Sequence, residues 1–258
     1  MKKTAMDLGR IEEYYLDARQ YDAENDDYVL DIPFYVERAK RAGGPVLEIA
    51  CGTGRVALPI AREGIEVVGL DVAPAMLARL RDKAAREGLR ISVVEADCRD
   101  FALGREFPLI ICPFSAMQHL YDLPSLESLL ERVQTHLEAD GLFLFDVFNP
   151  NVEILSSGGG ARARIFTYTD PESGADVFVE ETTDYDDAAQ VLHITWYSTG
   201  GGTDEIREET IHLRCFYPQE LDMILRYNRF EILEKLGKFS GEPFEAGLGR
   251  QIVVCRPV

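Results

Sequence analysis

Apolar and polar positions along the chain alternate between two rhythms. From residue 46 to 148, short continuous apolar runs trade places with stretches repeating every three to four residues. Buried parallel strands and their crossover helices produce this alternation. Apolar runs predict strands at 46–49, 65–70, 91–95, 107–112 and 142–148. Helical spacing predicts helices over 55–63, 74–87 and 124–138, with Met76, Leu77, Leu80 and Ala84 as the stripe of the second. Pro74 suits a first turn and Gly88 a helix end; Ala73, before Pro74, offers no capping oxygen. Asp140-Gly141 reads as the turn into the fifth strand. Ahead of the first strand, two helices are expected over roughly 8–20 and 28–42, broken at Asn25-Asp26-Asp27 and closed by Gly43-Gly44-Pro45.

The rhythm changes between 151 and 216. After Ser156-Ser157-Gly158-Gly159-Gly160, four runs alternate with period two: 162–169, 176–185, 190–198 and 204–216. They predict an antiparallel sheet inserted after the fifth core strand, acting as a lid or as the surface of a homodimer. Leu192, Ile194 and Trp196 share one face; His193, Thr195 and Tyr197 share the other. A helix at 218–229 and strands at 230–239 and 250–256 finish the chain. The expected fold is α/β: a Rossmann-like, mostly parallel seven-stranded sheet flanked by helices, with the inserted sheet as a subdomain. Its units are an N-terminal helical cap at 1–45, a cofactor-binding core at 46–150, the insertion at 151–216, and the end of the core at 217–258.

The chemistry concentrates where the first strand ends. Ala50-Cys51-Gly52-Thr53-Gly54 joins strand to helix, and glycine lets the chain bend sharply and a ligand approach the backbone. Asp71 ends the second strand, where a carboxylate accepts hydrogen bonds from both ribose hydroxyls. Gly52-x-Gly54-x-x-Ala57 also meets the relaxed dinucleotide fingerprint, so a nicotinamide-dependent oxidoreductase stays open. Glu48 weighs against it: a carboxylate beside the turn repels a pyrophosphate and favours a sulfonium and an ammonium.

Glu48-Ile49-Ala50-Cys51-Gly52-Thr53-Gly54 resembles the first motif of the class I methyltransferases that use S-adenosylmethionine (SAM), with Ala50 at the family's first glycine. The resemblance implies small-molecule methyl transfer, with SAM as cofactor and S-adenosylhomocysteine as product. It implies that Asp97 meets the adenine amino group and that Tyr15 and Tyr21, in a Tyr-x5-Tyr-Asp pattern with Asp22, belong to a segment covering the cofactor. Val72, Met76, Cys98, Pro113, Phe114 and Ser115 are the remaining cofactor neighbours expected. His119 follows the fourth strand, at the edge where open α/β sheets bind ligands. Histidine is neutral near pH 7 and serves as a base, and amino-sugar dimethyltransferases carry a histidine in a similar stretch. His119 is therefore expected to orient or deprotonate the acceptor, with an amine ahead of a hydroxyl. His136, His193 and His212 read as solvated or packed. Arg162, Arg164, Tyr168, Trp196 and Tyr197 are candidates for an acceptor pocket or plain sheet surface, and Glu180, Glu181 and Asp184 a solvated face. A SAM-binding module without turnover is the other alternative.

Composition narrows the partners. The formal net charge of −18 over 258 residues repels phosphate backbones and anionic membranes. The fourth strand leads into Cys-Pro-Phe-Ser, where nucleic-acid amino methyltransferases usually carry Asn/Asp-Pro-Pro-aromatic. Nucleic acid and membrane are therefore not expected as partners. Met1–Asp7 has no signal-peptide core and no segment is long enough to span a bilayer. Five scattered cysteines without Cys-x-x-Cys fit reduced thiols in a cytoplasm and argue against a structural metal.

Overall fold

A computed structural model of the chain describes residues 13–156 and 162–258. The start of the first expected helix and most of the Ser/Gly stretch at 156–160 lie outside the described residues. After a short 3₁₀ turn at Glu13–Tyr15, the Asp17 carboxylate accepts from the Arg19 and Gln20 amides at 3.0 Å. That cap starts helix α1 (Ala18–Asn25) at residue 18, rather than letting a helix run from 8 to 20. Helix α2 (Ile32–Ala42) ends at Gly43, in the left-handed conformation at φ 67°.

The core alternates as the apolar runs require: β1 (Val46–Ile49), α3 (Ala57–Arg62), β2 (Val67–Asp71), α4 (Pro74–Glu87), β3 (Ile91–Glu95), β4 (Phe107–Cys112), α5 (Leu123–His136) and β5 (Leu137–Phe148). After the inserted strands come α7 (Pro218–Tyr227), β10 (Phe230–Leu236) and β11 (Arg250–Pro257), following a one-turn helix, α6 (Val152–Ser156). The seven strands order as β10-β11-β5-β4-β1-β2-β3. All neighbours from β3 to β5 are parallel, whereas β11 runs antiparallel to both β5 and β10. One apolar layer packs α5 and α7 on the sheet; the other packs α2 and α3 on its opposite face.

β5 differs from expectation. It begins at Leu137, and Asp140-Gly141 does not separate it from α5. The pairing with β4 jumps from Leu137 to Leu142, so the intervening residues form a bulge. A Cβ at Gly141 would lie 2.9 Å from the Phe107 carbonyl oxygen, which is why the bulge needs glycine.

The insertion is a separate four-stranded antiparallel sheet, ordered β6 (Ala163–Thr169), β7 (Asp176–Asp186), β8 (Val191–Gly200) and β9 (Thr203–Arg214). Its edge strand β9 packs on the 3₁₀ turn Ala116–His119 that follows β4. Fully buried Gln118 joins the two, donating to the Arg214 carbonyl (2.7 Å) and accepting from the Phe148 amide (2.8 Å). α1 fills the angle between sheet and core. Its Gln20 reaches Glu209 of β9 at 3.0 Å, and its Asp22 takes Arg79 and Lys83 of α4 at 2.7 Å each. Among the described residues, no helix is long and apolar enough to cross a membrane.

Candidate cofactor site and the acceptor edge beside it

The turn after β1 is held from below. The Asp71 carboxylate, at the end of β2, accepts from the Gly52 amide at 2.8 Å and the Ala73 amide at 2.9 Å. The second of these bonds holds the residue that precedes α4, whose first turn has no side-chain cap. Gly52 has φ 53°, and a Cβ there would meet nothing within 4 Å. Gly54 has φ 88°, and its Cβ would fall 2.3 Å from Leu80 Cδ1. The first glycine faces open space and the second faces the core. Ala50 also sits in the left-handed region, at φ 55°. An L-residue there costs about 1–2 kcal/mol, so Ala50→Gly is expected to stabilise the protein by about 1 kcal/mol in a denaturant melt.

Glu48 is the second feature of the cradle. Its side chain is buried, and its Oε2 has no hydrogen-bond partner in the structure. Burial raises its pKa well above the ordinary glutamate value; Arg55 opposes this, and Asp31 and Asp71 reinforce it. Arg55 does not neutralise Glu48 because Asp31, fully buried, takes both guanidinium ends at 2.6 and 2.7 Å. Tyr21, half-buried on α1, lies within electrostatic reach of Glu48, Asp71 and Arg55.

The other expected cofactor neighbours are dispersed around this cradle. Val72 is 50% exposed just beyond Asp71, whereas Met76 is 1% exposed and packed under the first turn of α4. Asp97 is not a bare loop acid. Arg99 grips both its oxygens, Oδ2 at 2.6 Å, and holds its pKa below the usual range. Burial pushes the neighbouring Cys98 thiol up to about 12. Cys51 is buried against Gly69. After buried Pro113, both Phe114 (φ 59°) and Ser115 (φ 61°) adopt the left-handed conformation. The Phe114 ring packs on Tyr28, with the Arg55 guanidinium 4.4 Å from its centroid.

His119 closes the turn that follows. Tyr15 Oη lies 2.8 Å from its Nε2, and the two rings meet edge to face. Burial first, and the proximity of His212 second, lower its pKa to about 4. His193 and His212 are paired with each other rather than solvated, Nδ1 to Nδ1 at 2.8 Å. His136 is packed, accepting from the Leu103 amide. The Trp196 ring packs on Tyr14, and its indole N–H donates to half-buried Glu181. Tyr168 is buried and accepts from Arg207. Arg162 and Arg164 are exposed, stacked over Tyr197 and Phe178.

An orphaned buried carboxylate and an open glycine turn fit a ligand that brings its own cation and needs close backbone approach. SAM is such a ligand. The residues that would hold it are Glu48 for the ammonium, the 50–54 turn for the methionyl chain, and Asp71 for the ribose. Residues 46–141 match the family model described as a methyltransferase domain. This stretch is a SAM-dependent methyltransferase domain.

Relatives of the chain agree. Over 116 residues it is 33% identical to the dTDP-3-amino-3,6-dideoxy-alpha-D-glucopyranose N,N-dimethyltransferase of Streptomyces fradiae, a match spanning 45% of this chain and only 44% of that relative. It is 26% identical to a cypemycin N-terminal methyltransferase of a Streptomyces species, over 82% of each chain. The solved CcbJ methyltransferase of Streptomyces caelestis superposes with a TM-score of 0.77 at 24% identity, over 96% of this chain and all of that one. At that identity the likeness speaks for the fold, the class I arrangement of six parallel strands and one reversed. A nicotinamide-dependent reading of Gly52-x-Gly54-x-x-Ala57 is thereby set aside.

The chain also contains a group that sequence reasoning missed. Asp146, fully buried on β5, accepts from the Tyr35 hydroxyl at 2.6 Å, from the Phe114 amide at 2.8 Å, and from Arg250 of β11. Arg250 also donates to Ser115 Oγ at 3.2 Å. The signal was available: Asp146 is a lone acid inside Leu142–Phe148, as Glu48 is inside β1. An acid in a strand buried on both faces is retained only where it meets donors or a ligand.

Proposed function

We propose that the whole chain transfers a methyl group from SAM to an amine nitrogen of a small, polar acceptor, an amino sugar being the favoured class. The observation carrying this reading is the Tyr15–His119 pair at the C-terminal end of β4, beside the cradle and beneath the inserted sheet. SAM supplies an electrophilic methyl on sulfur. The protein must align a nitrogen lone pair with it, and positioning provides much of the acceleration. An amine is protonated near neutral pH and needs an acceptor for that proton. His119 stays neutral down to about pH 4, so its ring is available throughout the working range.

In this reading Asp97 meets the adenine amino group, and Val72, Met76 and Cys98 shape the adenine slot. Tyr15 and Tyr21 cover the cofactor, and Pro113, Phe114 and Ser115 set the acceptor side. Residues 151–216 act as a lid, since the contacts of β9 run to α1 and to the His119 turn. The charge of −18 favours an acceptor whose amine arrives as a cation.

The test is methyl transfer from labelled SAM to dTDP-3-amino-3,6-dideoxyglucose and to phosphate-free 3-amino-3-deoxyglucose, read by mass as one or two added methyl groups. His119→Ala is expected to lower kcat about 100-fold, the lower end of the general-base range, with SAM affinity unchanged by calorimetry. Silence across both sugars and a wider amine panel, with SAM still bound, would favour a binding module without turnover.

The orphaned acid gives a pH test. Because Glu48 holds its proton in the folded protein above the unfolded value, ligand-free stability falls as pH rises past the ordinary glutamate range. A bound ammonium displaces that proton, so SAM affinity is expected to rise over the same window. Glu48→Gln should flatten both trends, raising ligand-free stability near neutral pH by about 1–3 kcal/mol while weakening SAM. Melts across pH, and calorimetry in two buffers of different ionisation enthalpy, check this.

A further inference from the structure

Three of the chain's four histidines converge from three separate elements. His119 comes from the turn after β4, His193 from β8 and His212 from β9. His193 and His212 are register partners across the β8–β9 ladder, with Nδ1 atoms 2.8 Å apart and ring centroids 4.7 Å apart. A neutral pair bonded through both Nδ1 atoms is polar along its length. The ring that donates has a lone pair at Nε2, and the ring that accepts carries its proton there. Such a pair takes a proton at one end and releases one at the other. β9, which carries His212, packs on the 3₁₀ turn that ends in His119, and the charge of one histidine disfavours that of the other. Tyr121 packs on the His212 ring at 6.3 Å, and Tyr15 on His119. On the far side, exposed Asp184 of β7 stands opposite His193 in register. Among the described residues, these titratable groups contact the pair, face it in register or act on it electrostatically.

We propose that His212 and His193 form a proton exit from His119 to solvent, ending beside Asp184. The proposal rests on the amine-methylation reading, because each added methyl leaves one N–H proton to discard. The N–C bond forms as the S–C bond breaks. The resulting ammonium gives a proton to Tyr15 Oη as the Tyr15 hydroxyl proton passes to Nε2 of His119, and the Nδ1 proton of His119 goes to Nε2 of His212. The Nδ1 proton of His212 crosses to Nδ1 of His193, whose Nε2 proton leaves to water. One proton enters and one departs. His212 and His193 are positioning residues, acting through His119 without touching the acceptor. The wire matters most for a second methylation at the same nitrogen, since that nitrogen must lose its proton before it can react again.

The test uses the full chain bound to S-adenosylhomocysteine, with its four histidine rings followed by NMR across pH. In His212→Asn the His119 titration is expected to move toward the ordinary histidine value, and in His193→Asn the His212 titration to move. With SAM and dTDP-3-amino-3,6-dideoxyglucose, each variant should lose about tenfold in kcat near neutral pH and recover as pH rises or imidazole is added, with the KM for SAM unchanged. An unmoved His119 titration in His212→Asn, or an unaltered pH profile of kcat, overturns the wire. If the wild-type protein leaves that sugar unmethylated, the amino-sugar reading fails by itself. The titrations then decide the wire, a moved His119 supporting it and an unmoved one refuting it.

Discussion

Gly52→Ala is expected to weaken SAM binding about 100-fold while leaving the fold intact. The added Cβ meets no protein atom within 4 Å, so it projects into the space that the cofactor backbone must approach. The folding cost is confined to φ 53°, about 1–2 kcal/mol for an L-residue, within the stability of a domain this size. A methyl group in a close-packed contact costs about 3 kcal/mol, roughly 100-fold in affinity. Gly54→Ala should behave in the opposite way. Its Cβ would strike Leu80 at 2.3 Å and crowd Leu58 at 3.2 Å, both buried. Overpacking added to an unfavourable φ predicts a loss of about 3 kcal/mol in stability before any cofactor is present. Calorimetry with SAM and denaturant melts on both variants separate the two roles. Wild-type SAM affinity in Gly52→Ala would mean that the cofactor does not lie over this turn.

The contrast also shows what was legible in the sequence. Spacing singled out the glycine turn and Asp71 at strand ends, and Glu48 inside β1, because the rules of parallel sheets apply there. The alternation of runs marked out the core strands, including the closing pair β10 and β11, but not their order in the sheet. Spacing did not reveal that one glycine serves the ligand and the other the core, since that depends on Leu58 and Leu80 arriving from α3 and α4. The same limit concealed the histidine pair. His193 was assigned a face, but its meeting with His212 depends on the β8–β9 register and on β9 docking against the turn after β4. Trp196 and Tyr168 were candidates for a pocket because aromatic residues suit either role. Their neighbours Tyr14, Glu181 and Arg207 come from other elements, which spacing does not show. The boundary errors were local. Asp17 capped α1 later than the apolar pattern implied, and the Gly141 bulge merged a turn into β5.

Asp146→Ala is expected to destabilise the protein by about 4 kcal/mol, the range for breaking a buried ion pair by removing one partner. The carboxylate is fully buried and serves three donors on three elements: Tyr35 of α2, the Phe114 amide and Arg250 of β11. Its removal leaves the guanidinium unpaired and frees two further donors. The consequence reaches the acceptor side through the backbone. Phe114 and Ser115 hold φ of 59° and 61°, conformations that cost about 1–3 kcal/mol each and persist only when the surroundings over-determine them. Asp146 fixes the first and Arg250 the second, through its bond to Ser115 Oγ. Once they relax, the turn bearing His119 loses its aim, whereas the Gly52–Asp71 cradle, on neighbouring strands, keeps its own hydrogen bonds. Methyl transfer should therefore fall much further than SAM affinity. Asp146→Asn, which retains an acceptor but not the charge, should lose less on both counts. Replacing Asp146 and Arg250 together by leucine should recover part of the stability, because no buried charge is then left alone, but not the turnover, because the strained turn stays unsupported. Denaturant melts, SAM calorimetry and turnover on the three variants check this ordering. A melt of Asp146→Ala indistinguishable from wild type would show that the buried carboxylate does not hold the turn.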